Sequence, residues 1–285
     1  MELLTADKAI AALEDYVIYP NIQLTPTLGV IINESAPADD LSYLKSIRRK
    51  ADVYNVIIKL YECENFIEAS HAIAECKHDP RINGIIILSS FGNKDTDRAL
   101  ANMIPTRLDL DCMASHTMGT LVTSQSPVGY RFGPCAPVAA MKLLEYEGLT
   151  DLSGLKVAIL GRSLRVGRPL AEMLTQHNAT VTCIHSQSNF HLKDLRDYHI
   201  IISAMGQPGA IKGEYFEPNH GGYIIDISIN VDENGKLCGD CDIDSFKDID
   251  IHITPVPGCV GKLATTVLFS KLFTNAAHMR GDMSV

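Results

Sequence analysis

The sequence predicts an α/β fold with two sheets of parallel strands. Short β-branched apolar runs alternate with amphipathic stretches over residues 27–90, and the alternation restarts over residues 155–253. This alternation is typical of strand–helix–strand units, in which each helix crosses back over a parallel sheet. A long stretch without clear periodicity, residues 92–134, separates the two blocks. We therefore predict two α/β domains that face each other across a cleft.

The first block is predicted from its apolar spacing to contain strand 27–33, helix 39–51, strand 54–61, helix 63–77 and strand 82–90. Residues 92–134 contain scattered Gly, Pro, Ser and Thr, which favour turns. We predict that this stretch is an irregular connection lining the cleft.

The second block is predicted to contain helix 135–148, strand 155–160, helix 166–176, strand 179–184, a short helix 191–196, strands 198–203, 222–227 and 250–253, and a final helix 262–279. This order predicts a Rossmann-type parallel sheet with its ligand crevice at the carboxyl ends of the strands. The predicted domains are residues 1–134 and 135–261. The last helix, about 262–285, is expected to pack back on the first domain.

Composition excludes several classes of function. The chain has 285 residues and a net charge of −9, so an extended nucleic-acid surface is not expected. No apolar run approaches the roughly 20 residues that span a bilayer, and the acidic N-terminus does not resemble a signal peptide. These features predict a cytoplasmic protein without a membrane partner. Cys238 and Cys241 form a C-x-x-C without a second ligand pair, so no metal site is predicted.

The stretch LKVAILGRSLRVGRPLAEML, residues 155–174, has the order strand, loop and helix. A G-x-G-x-x-G frame on the first glycine places Ser163 and Val166 where glycines usually stand. The loop nevertheless keeps a glycine for the bend, a hydroxyl donor, arginines and a glycine at the helix start, which suit a phosphate. The predicted cofactor-binding residues here are Gly161, Arg162, Ser163, Arg165 and Gly167.

The end of the next predicted strand bears on the identity of the nucleotide. An NAD site usually has Asp or Glu about 20 residues after the loop, where it binds the ribose 2′-hydroxyl. Here His185 and Ser186 occupy this place, and neither repels a 2′-phosphate. The sequence therefore favours NADP over NAD. A plain strand–loop–helix with surface arginines would produce the same local pattern.

Motifs along most of the chain resemble those of the methylenetetrahydrofolate dehydrogenase/methenyltetrahydrofolate cyclohydrolase family of the FolD type. The two most specific are GRSLRVGRP and TPVPGCVG, and LDLDCMASHTMG and GPCAPVAAMKLL lie in the expected order between the predicted blocks. The resemblance implies hydride transfer from 5,10-methylenetetrahydrofolate to NADP. It also implies, in most members, hydrolysis of the methenyl product to 10-formyltetrahydrofolate, and a homodimer.

The resemblance assigns further site residues. Tyr43 corresponds to an active-site tyrosine that stacks on the folate, and Asp111 to an aspartate that binds the pterin amino group; both are our catalytic and substrate-binding candidates. The loops that follow the later strands add substrate-binding and cofactor-binding positions: Pro257 and Gly258 for the folate, Gly206 and Ile229 for the nucleotide.

Two departures from the family pattern affect the hydrolytic step. The family's lysine, four residues after the tyrosine, is Ile47 here, and the glutamine that supports it is Leu88. We therefore expect weak or absent cyclohydrolase activity. Around the folate positions, Cys112 replaces a glycine and Thr117 an asparagine. Two alternatives remain: a catalytically impaired homologue that binds folate or nucleotide, and a Rossmann dehydrogenase that acts on another small carrier.

Overall fold

The structure is a computed structural model that describes residues 1–124, 130–233 and 235–281. Its strands are β1 (Glu2–Leu3), β2 (Thr27–Asn33), β3 (Ile57–Cys63), β4 (Ile82–Ile87), β5 (Lys156–Leu160), β6 (Thr180–Ile184), β7 (Ile200–Ser203), β8 (Gly222–Asp226), β9 (Asn230–Val231), β10 (Leu237–Cys238) and β11 (Ile251–Ile253). Its α-helices are α1 (Asp7–Leu13), α2 (Ala38–Tyr54), α3 (Phe66–His78), α4 (Lys94–Met103), α5 (Ser115–Thr123), α6 (Cys135–Tyr146), α7 (Gly167–Gln176) and α8 (Val260–Arg280). Short 3₁₀ or π turns occupy Glu14–Ile18, Tyr19–Leu24, Tyr130–Phe132, Leu192–Asp197, Gly213–Tyr215 and Ile243–Phe246.

The chain divides into two compact units, each with its own parallel sheet. The small-sheet unit comprises the described residues of 10–123, 128–135 and 265–281. The large-sheet unit comprises the described residues of 1–9, 124–127 and 136–264. The predicted α/β fold class with parallel sheets is therefore confirmed. Within the described residues, no helix is both long enough and apolar enough to cross a membrane.

The small-sheet unit is built on three parallel strands in the order β3-β2-β4. The central strand β2 is almost entirely buried, as its run of β-branched residues predicts. Asn65 caps the start of α3, and its side chain accepts hydrogen bonds from the backbone N–H groups of Ile67 and Glu68. Glu68 in turn accepts from the N–H of Glu64, so local sequence sets the start of this helix.

The large-sheet unit contains six parallel strands in the order β1-β11-β8-β7-β5-β6. The strand β5 pairs with β6 on one side and β7 on the other, so the order of strand addition reverses at its carboxyl end. In open α/β sheets this reversal creates the crevice where ligands bind. The Rossmann-type arrangement predicted for the second block is thus present.

The prediction of a strand over residues 54–61 is wrong at its first residues. Tyr54 is the last residue of α2, and the strand starts only at Ile57. Asn55 ends the helix in the left-handed conformation with a φ of 55°, and its N–H donates to the carbonyl of Ala51. The side chain of Tyr54 is buried against Phe269, with the ring centroids 5.4 Å apart. Tertiary packing of an aromatic residue, rather than strand propensity, decides its position.

The prediction that residues 92–134 are an irregular connection is also wrong, because α4, α5 and the turn Tyr130–Phe132 lie within it. Asn93 caps α4 by accepting from the N–H groups of Asp95 and Thr96. Leu100 and Ala101 bury the apolar side of this short helix. Residues 125–129 of this predicted connection lie outside the described residues. The turn-forming residue types mark helix ends here, not an absence of helix.

The N-terminus differs from the predicted domain 1–134. The strand β1 pairs in parallel with β11, and the N–H of Leu4 donates to the carbonyl of Ile253 over 2.9 Å. Residues 1–9 therefore lie in the large-sheet unit. A two-residue edge strand is too short to show a periodic pattern, so its pairing could not be predicted from sequence. The described residues from 265 onwards lie in the small-sheet unit.

Candidate active site

Two glycines shape the loop between β5 and α7. Gly161 has a φ of +118°, and a methyl group added there would lie 2.5 Å from the carbonyl oxygen of Ala204 on the neighbouring loop. A methyl group added at Gly167 would lie 2.1 Å from the carbonyl oxygen of Gly161. Both contacts involve backbone atoms, which cannot rotate away. The loop therefore folds tightly against the carboxyl ends of β5 and β7 only because these two positions lack a side chain.

The polar groups of this loop surround the start of α7. The hydroxyl of Ser163 accepts a hydrogen bond from the N–H of Val166 over 3.1 Å, and its carbonyl accepts from the N–H of Arg168. Because a hydroxyl can accept and donate at once, the Ser163 proton can still reach a phosphate oxygen. Arg162 and Arg165 are exposed. The cationic side chains and the helix N-terminus together can bind an anion.

His185 and Ser186 follow β6, the strand next to β5. The ring Nδ1 of His185 accepts from the N–H of Gln187 over 3.2 Å, and the His185 N–H donates to the hydroxyl of Ser188. Ser186 is exposed. The turn after β6 thus presents hydroxyl and imidazole groups and no carboxylate over residues 185–188.

Gly206 and Ile229 lie on the loops that follow β7 and β8. Gly206 has a φ of +69°, and its N–H donates to the hydroxyl of Ser228 over 3.2 Å. Ile229 is 60% exposed, so it is available to a ligand. Pro257, which follows a cis peptide bond, and Gly258, with a φ of +129°, lie on the loop after β11. All predicted cofactor positions, and these two substrate positions, therefore lie at the carboxyl edge of one parallel sheet.

Asp240 organises these loops, and sequence reasoning did not identify it. It is fully buried, and its carboxylate accepts hydrogen bonds from two different segments, residues 203–207 and residues 228–230. The donors are the hydroxyls of Ser203 and Ser228, the N–H groups of Met205 and Gln207, and the side-chain amide of Asn230. Burial acts to raise the pKa of Asp240, but these hydrogen bonds outweigh burial and lower it. An ionised carboxylate thus holds the loops that carry Gly206 and Ile229.

Asp226, at the end of β8, behaves differently. Its carboxylate accepts from the N–H groups of Ser228 and Cys241, but burial raises its pKa to about 6. A carboxyl whose folded pKa lies above its unfolded value of about 3.9 binds more protons in the folded state between these values. Folding stability therefore falls as the pH rises from about 4 to about 6.

We expect the substitution Asp226→Asn to remove this pH dependence. Between pH 4 and pH 7, the unfolding free energy of the variant should gain up to about 3 kcal/mol relative to wild type, because only the wild type must ionise a buried carboxyl. Urea unfolding at both pH values measures the difference. A difference that is independent of pH would contradict the assignment.

Cys238 and Cys241, the two cysteines of the C-x-x-C, lie on either side of Asp240 in the sequence. Cys238 belongs to the small hairpin β9–β10 and is partly exposed, whereas Cys241 is buried and burial raises its thiol pKa well above the usual value. A thiol with a raised pKa is a poor nucleophile and metal ligand. Among the described residues, no group of three or more His, Cys, Asp or Glu side chains is arranged to hold a metal ion.

In the small-sheet unit, α2 follows β2 and carries Tyr43, which is half-buried. Ile47, one turn later, is completely buried, and Leu88, just beyond β4, is 5% exposed. The N–H of Leu88 donates to the carbonyl of Ile31, so it lies at the carboxyl edge of the sheet. Both positions at which the family has polar groups are thus filled by apolar core residues.

Asp111 lies on a loop that runs beside β4. Its carboxylate accepts from the N–H of Cys135 over 3.0 Å, at the start of α6. Two residues earlier, Asp109 is buried and accepts from the N–H of Ala114 and the hydroxyl of Thr117. Burial raises the pKa of Asp109, despite these hydrogen bonds. Asp109 was not predicted from sequence; its proximity to Asp111 in LDLDC was the only available signal.

The family model for the NAD(P)-binding domain of tetrahydrofolate dehydrogenase/cyclohydrolase matches residues 134–280. The bifunctional protein FolD of Clostridium botulinum is 33% identical over 255 residues, which cover 87% of each protein. The chain belongs to the tetrahydrofolate dehydrogenase/cyclohydrolase family.

Solved structures of this family have the same fold. The bifunctional FolD enzyme of Campylobacter jejuni is 26% identical, with a TM-score of 0.86 over 98% of this chain and 99% of that one. The Trypanosoma brucei FolD enzyme, solved in complex with NADP and an inhibitor, is 25% identical, with a TM-score of 0.82 over 99% of this chain and 98% of that one. The resemblance to FolD-type enzymes is confirmed, and with it the description as an oxidoreductase of one-carbon metabolism with a Rossmann-type nucleotide-binding domain.

Within this member of the family, the predicted site residues divide between the units. The nucleotide candidates, with Pro257 and Gly258, lie in the large-sheet unit. Tyr43 and Asp111 lie in the small-sheet unit. The structure adds buried carboxyl groups, Asp109 and Asp240, that hold the predicted loops in place.

Proposed function

We propose that this protein oxidises 5,10-methylenetetrahydrofolate to 5,10-methenyltetrahydrofolate with NADP, and that its methenyltetrahydrofolate cyclohydrolase activity is weak or absent. The observation that carries the proposal is the glycine turn at the reversal of strand order, where Gly161 and Gly167 let the backbone fold closely. This turn suits a nucleotide pyrophosphate at the start of α7.

Several residues of the large-sheet unit fit NADP. We assign pyrophosphate binding to the Ser163 hydroxyl and the start of α7, and 2′-phosphate binding to Ser186 with Arg162 or Arg165. The turn after β6 has no carboxylate that would repel a 2′-phosphate, and this favours NADP over NAD. Held by these residues, NADP would supply the hydride acceptor. The chain's own contribution to this step is to hold and orient the nucleotide, because hydride transfer needs positioning more than proton transfer.

The small-sheet unit supplies the folate contacts in this proposal. The Asp111 carboxylate accepts hydrogen bonds from the pterin N–H donors, and the Tyr43 ring stacks on the aromatic part of the folate. Pro257 and Gly258 add contacts from the loop after β11. The N–H of Cys135 orients the Asp111 side chain by donating to one of its carboxylate oxygens.

The second half of the proposal, weak cyclohydrolase activity, rests on Ile47 and Leu88. Hydrolysis requires that a water be activated and that protons be moved, so it needs a polar or titratable group near the methenyl carbon. Two buried aliphatic side chains at these positions can do neither. Dehydrogenation does not need these groups.

The decisive experiment follows wild-type enzyme with methylenetetrahydrofolate and either NADP or NAD, and resolves methenyl from 10-formyl product. We expect reduced nucleotide to form with a preference for NADP and the methenyl compound to accumulate. Turnover of another carrier but not of this substrate would favour the alternative dehydrogenase. Nucleotide binding without any turnover would favour an impaired binding homologue.

We also propose that the protein is a homodimer. Light scattering of the purified protein measures its mass in solution and so tests this proposal.

We expect Ile47→Lys, combined with Leu88→Gln, to raise methenyl hydrolysis roughly 10- to 100-fold while changing dehydrogenation little, because the pair introduces groups for proton transfer. Leu41→Lys, at an exposed position on the same helix, is the matched control. Methenyl loss is followed in the absence of nucleotide. Wild-type hydrolysis far above the spontaneous rate would contradict the role assigned to these positions.

A further inference from the structure

The side chain of Lys271 reaches from α8 into the interior of the small-sheet unit. Part of the residue is solvent accessible, but its ammonium group is enclosed by protein atoms. It donates to the carbonyl of Leu110 over 3.1 Å and to the carbonyl of Gly133, and it lies 3.8 Å from the Cys112 sulfur. Enclosing an ammonium is unfavourable unless it is fully hydrogen-bonded. The hydrogen-bond partners of Lys271 therefore show which backbone segments its ammonium group fixes in place.

These partners belong to the two segments that determine the position of Asp111. Leu110 and Cys112 are its immediate neighbours in the chain, and Gly133 lies two residues before Cys135, whose N–H donates to the Asp111 carboxylate. The Cys135 thiol also approaches the carbonyl of Leu110 at 3.7 Å. One ammonium group thus connects the backbone on both sides of the Asp111 hydrogen bond.

The backbone beside Asp111 needs such support. Cys112 has a φ of 53°, a left-handed conformation that costs a residue with a side chain about 1 kcal/mol. Its sulfur donates to the carbonyl of Arg131 over 3.3 Å, which adds a further link to the segment before α6. These weak contacts and the Lys271 ammonium group therefore stabilise a backbone conformation that glycine adopts more readily than cysteine.

The charge of Lys271 is retained despite its surroundings. Burial lowers the pKa of the ammonium group, but the thiols and carboxyl groups that face it, Cys112, Cys135, Asp111 and Asp109, outweigh burial and raise the pKa. A cation close to Asp109 and Asp111 also offsets the repulsion between two carboxyl groups on one short loop. Lys271 is thus a cation close to Asp111 that has no part in the proposed hydride transfer.

We propose that Lys271 is a positioning residue that fixes the Asp111 loop against the start of α6. The Asp111 carboxylate is thereby placed to bind folates that carry the pterin amino group in preference to analogues that lack it. This inference rests on the proposed function, because it assigns the pterin to Asp111. Lys271 does not touch the folate in this proposal; it acts through the carbonyls of Leu110 and Gly133.

The test measures binding rather than turnover, by titration calorimetry of the full chain with tetrahydrofolate and with its 2-desamino analogue. Wild type should prefer tetrahydrofolate strongly. Lys271→Met should weaken tetrahydrofolate binding at least tenfold and analogue binding much less, so that the preference collapses. Lys271→Arg should restore part of it. NADP affinity should stay within about twofold of wild type in each variant, because its proposed site lies in the other unit.

Lys77→Met, at an exposed position of α3 in the same unit, is the matched control and should change neither preference nor affinity. If Lys271→Met does not fold, Lys271→Gln, which keeps a neutral NH₂ donor group, replaces it with the same expected direction. A preference that survives in a folded variant with lowered thermal stability would overturn the positioning role and leave only a structural one. Wild type that binds no tetrahydrofolate would instead overturn the proposed function itself.

Discussion

Replacing Gly167 with alanine is expected to abolish NADP binding, with at least a 100-fold loss of affinity. The added methyl group would lie 2.1 Å from the Gly161 carbonyl oxygen, 2.8 Å from its carbon and 3.0 Å from the Arg162 Cα. All three are backbone atoms, so the whole turn would have to move. Such a displacement removes the geometry in which the turn and the helix N-terminus share one anion.

Helix propensity alone predicts that Gly167→Ala stabilises α7 and leaves the turn intact, since alanine stabilises a helix by about 1 kcal/mol relative to glycine. Gly119→Ala is therefore an informative control, because Gly119 lies in α5 and, among the described residues, nothing beyond its chain neighbours and its own helix backbone comes within 4 Å of an added methyl group. Isothermal titration with NADP and thermal unfolding measure both variants. NADP affinity of wild-type strength in Gly167→Ala would contradict the assignment of this turn to the pyrophosphate.

Replacing Asp111 with asparagine is expected to lower kcat/KM for methylenetetrahydrofolate by roughly 100- to 1,000-fold, the effect of losing charge-assisted hydrogen bonds in a partly buried site. The amide oxygen can still accept from the N–H of Cys135, so the loop should keep its conformation. Its NH₂ group, however, would face a pterin donor instead of accepting from it.

Steady-state kinetics with folate and nucleotide varied separately measure this effect. The loss should be confined to the folate parameters, with NADP affinity unchanged. Asp52→Asn, at an exposed position of α2, is the matched control. An Asp111→Asn enzyme with folate kinetics like those of wild type would show that another group binds the pterin.

The parts of the fold that sequence predicts well are those set by short-range order. The strands β2 and β5 were predicted to within one residue, because a run of apolar residues between turn signals leaves few alternatives. The errors occur where a distant contact decides the conformation. Tyr54 continues α2 because its ring packs against Phe269, more than 200 residues later in the chain.

The candidate site shows the same division. The turn from Gly161 to Gly167 is contiguous in sequence, so its glycines, hydroxyl and arginines could be identified together. Asp240 could not, since its partners come from residues 203–207 and 228–230, and only the folded sheet brings these loops to one carboxylate.

By itself, the sequence determined the α/β class, the glycine-containing turn between β5 and α7, and the family, because each depends on residue types at fixed short spacings. Only the tertiary structure decided that Ile47 is a buried core residue, that β1 completes the second sheet, and that an enclosed Lys271 supports the Asp111 loop. Burial and hydrogen-bond partnership depend on which distant segments meet, and no local pattern encodes that.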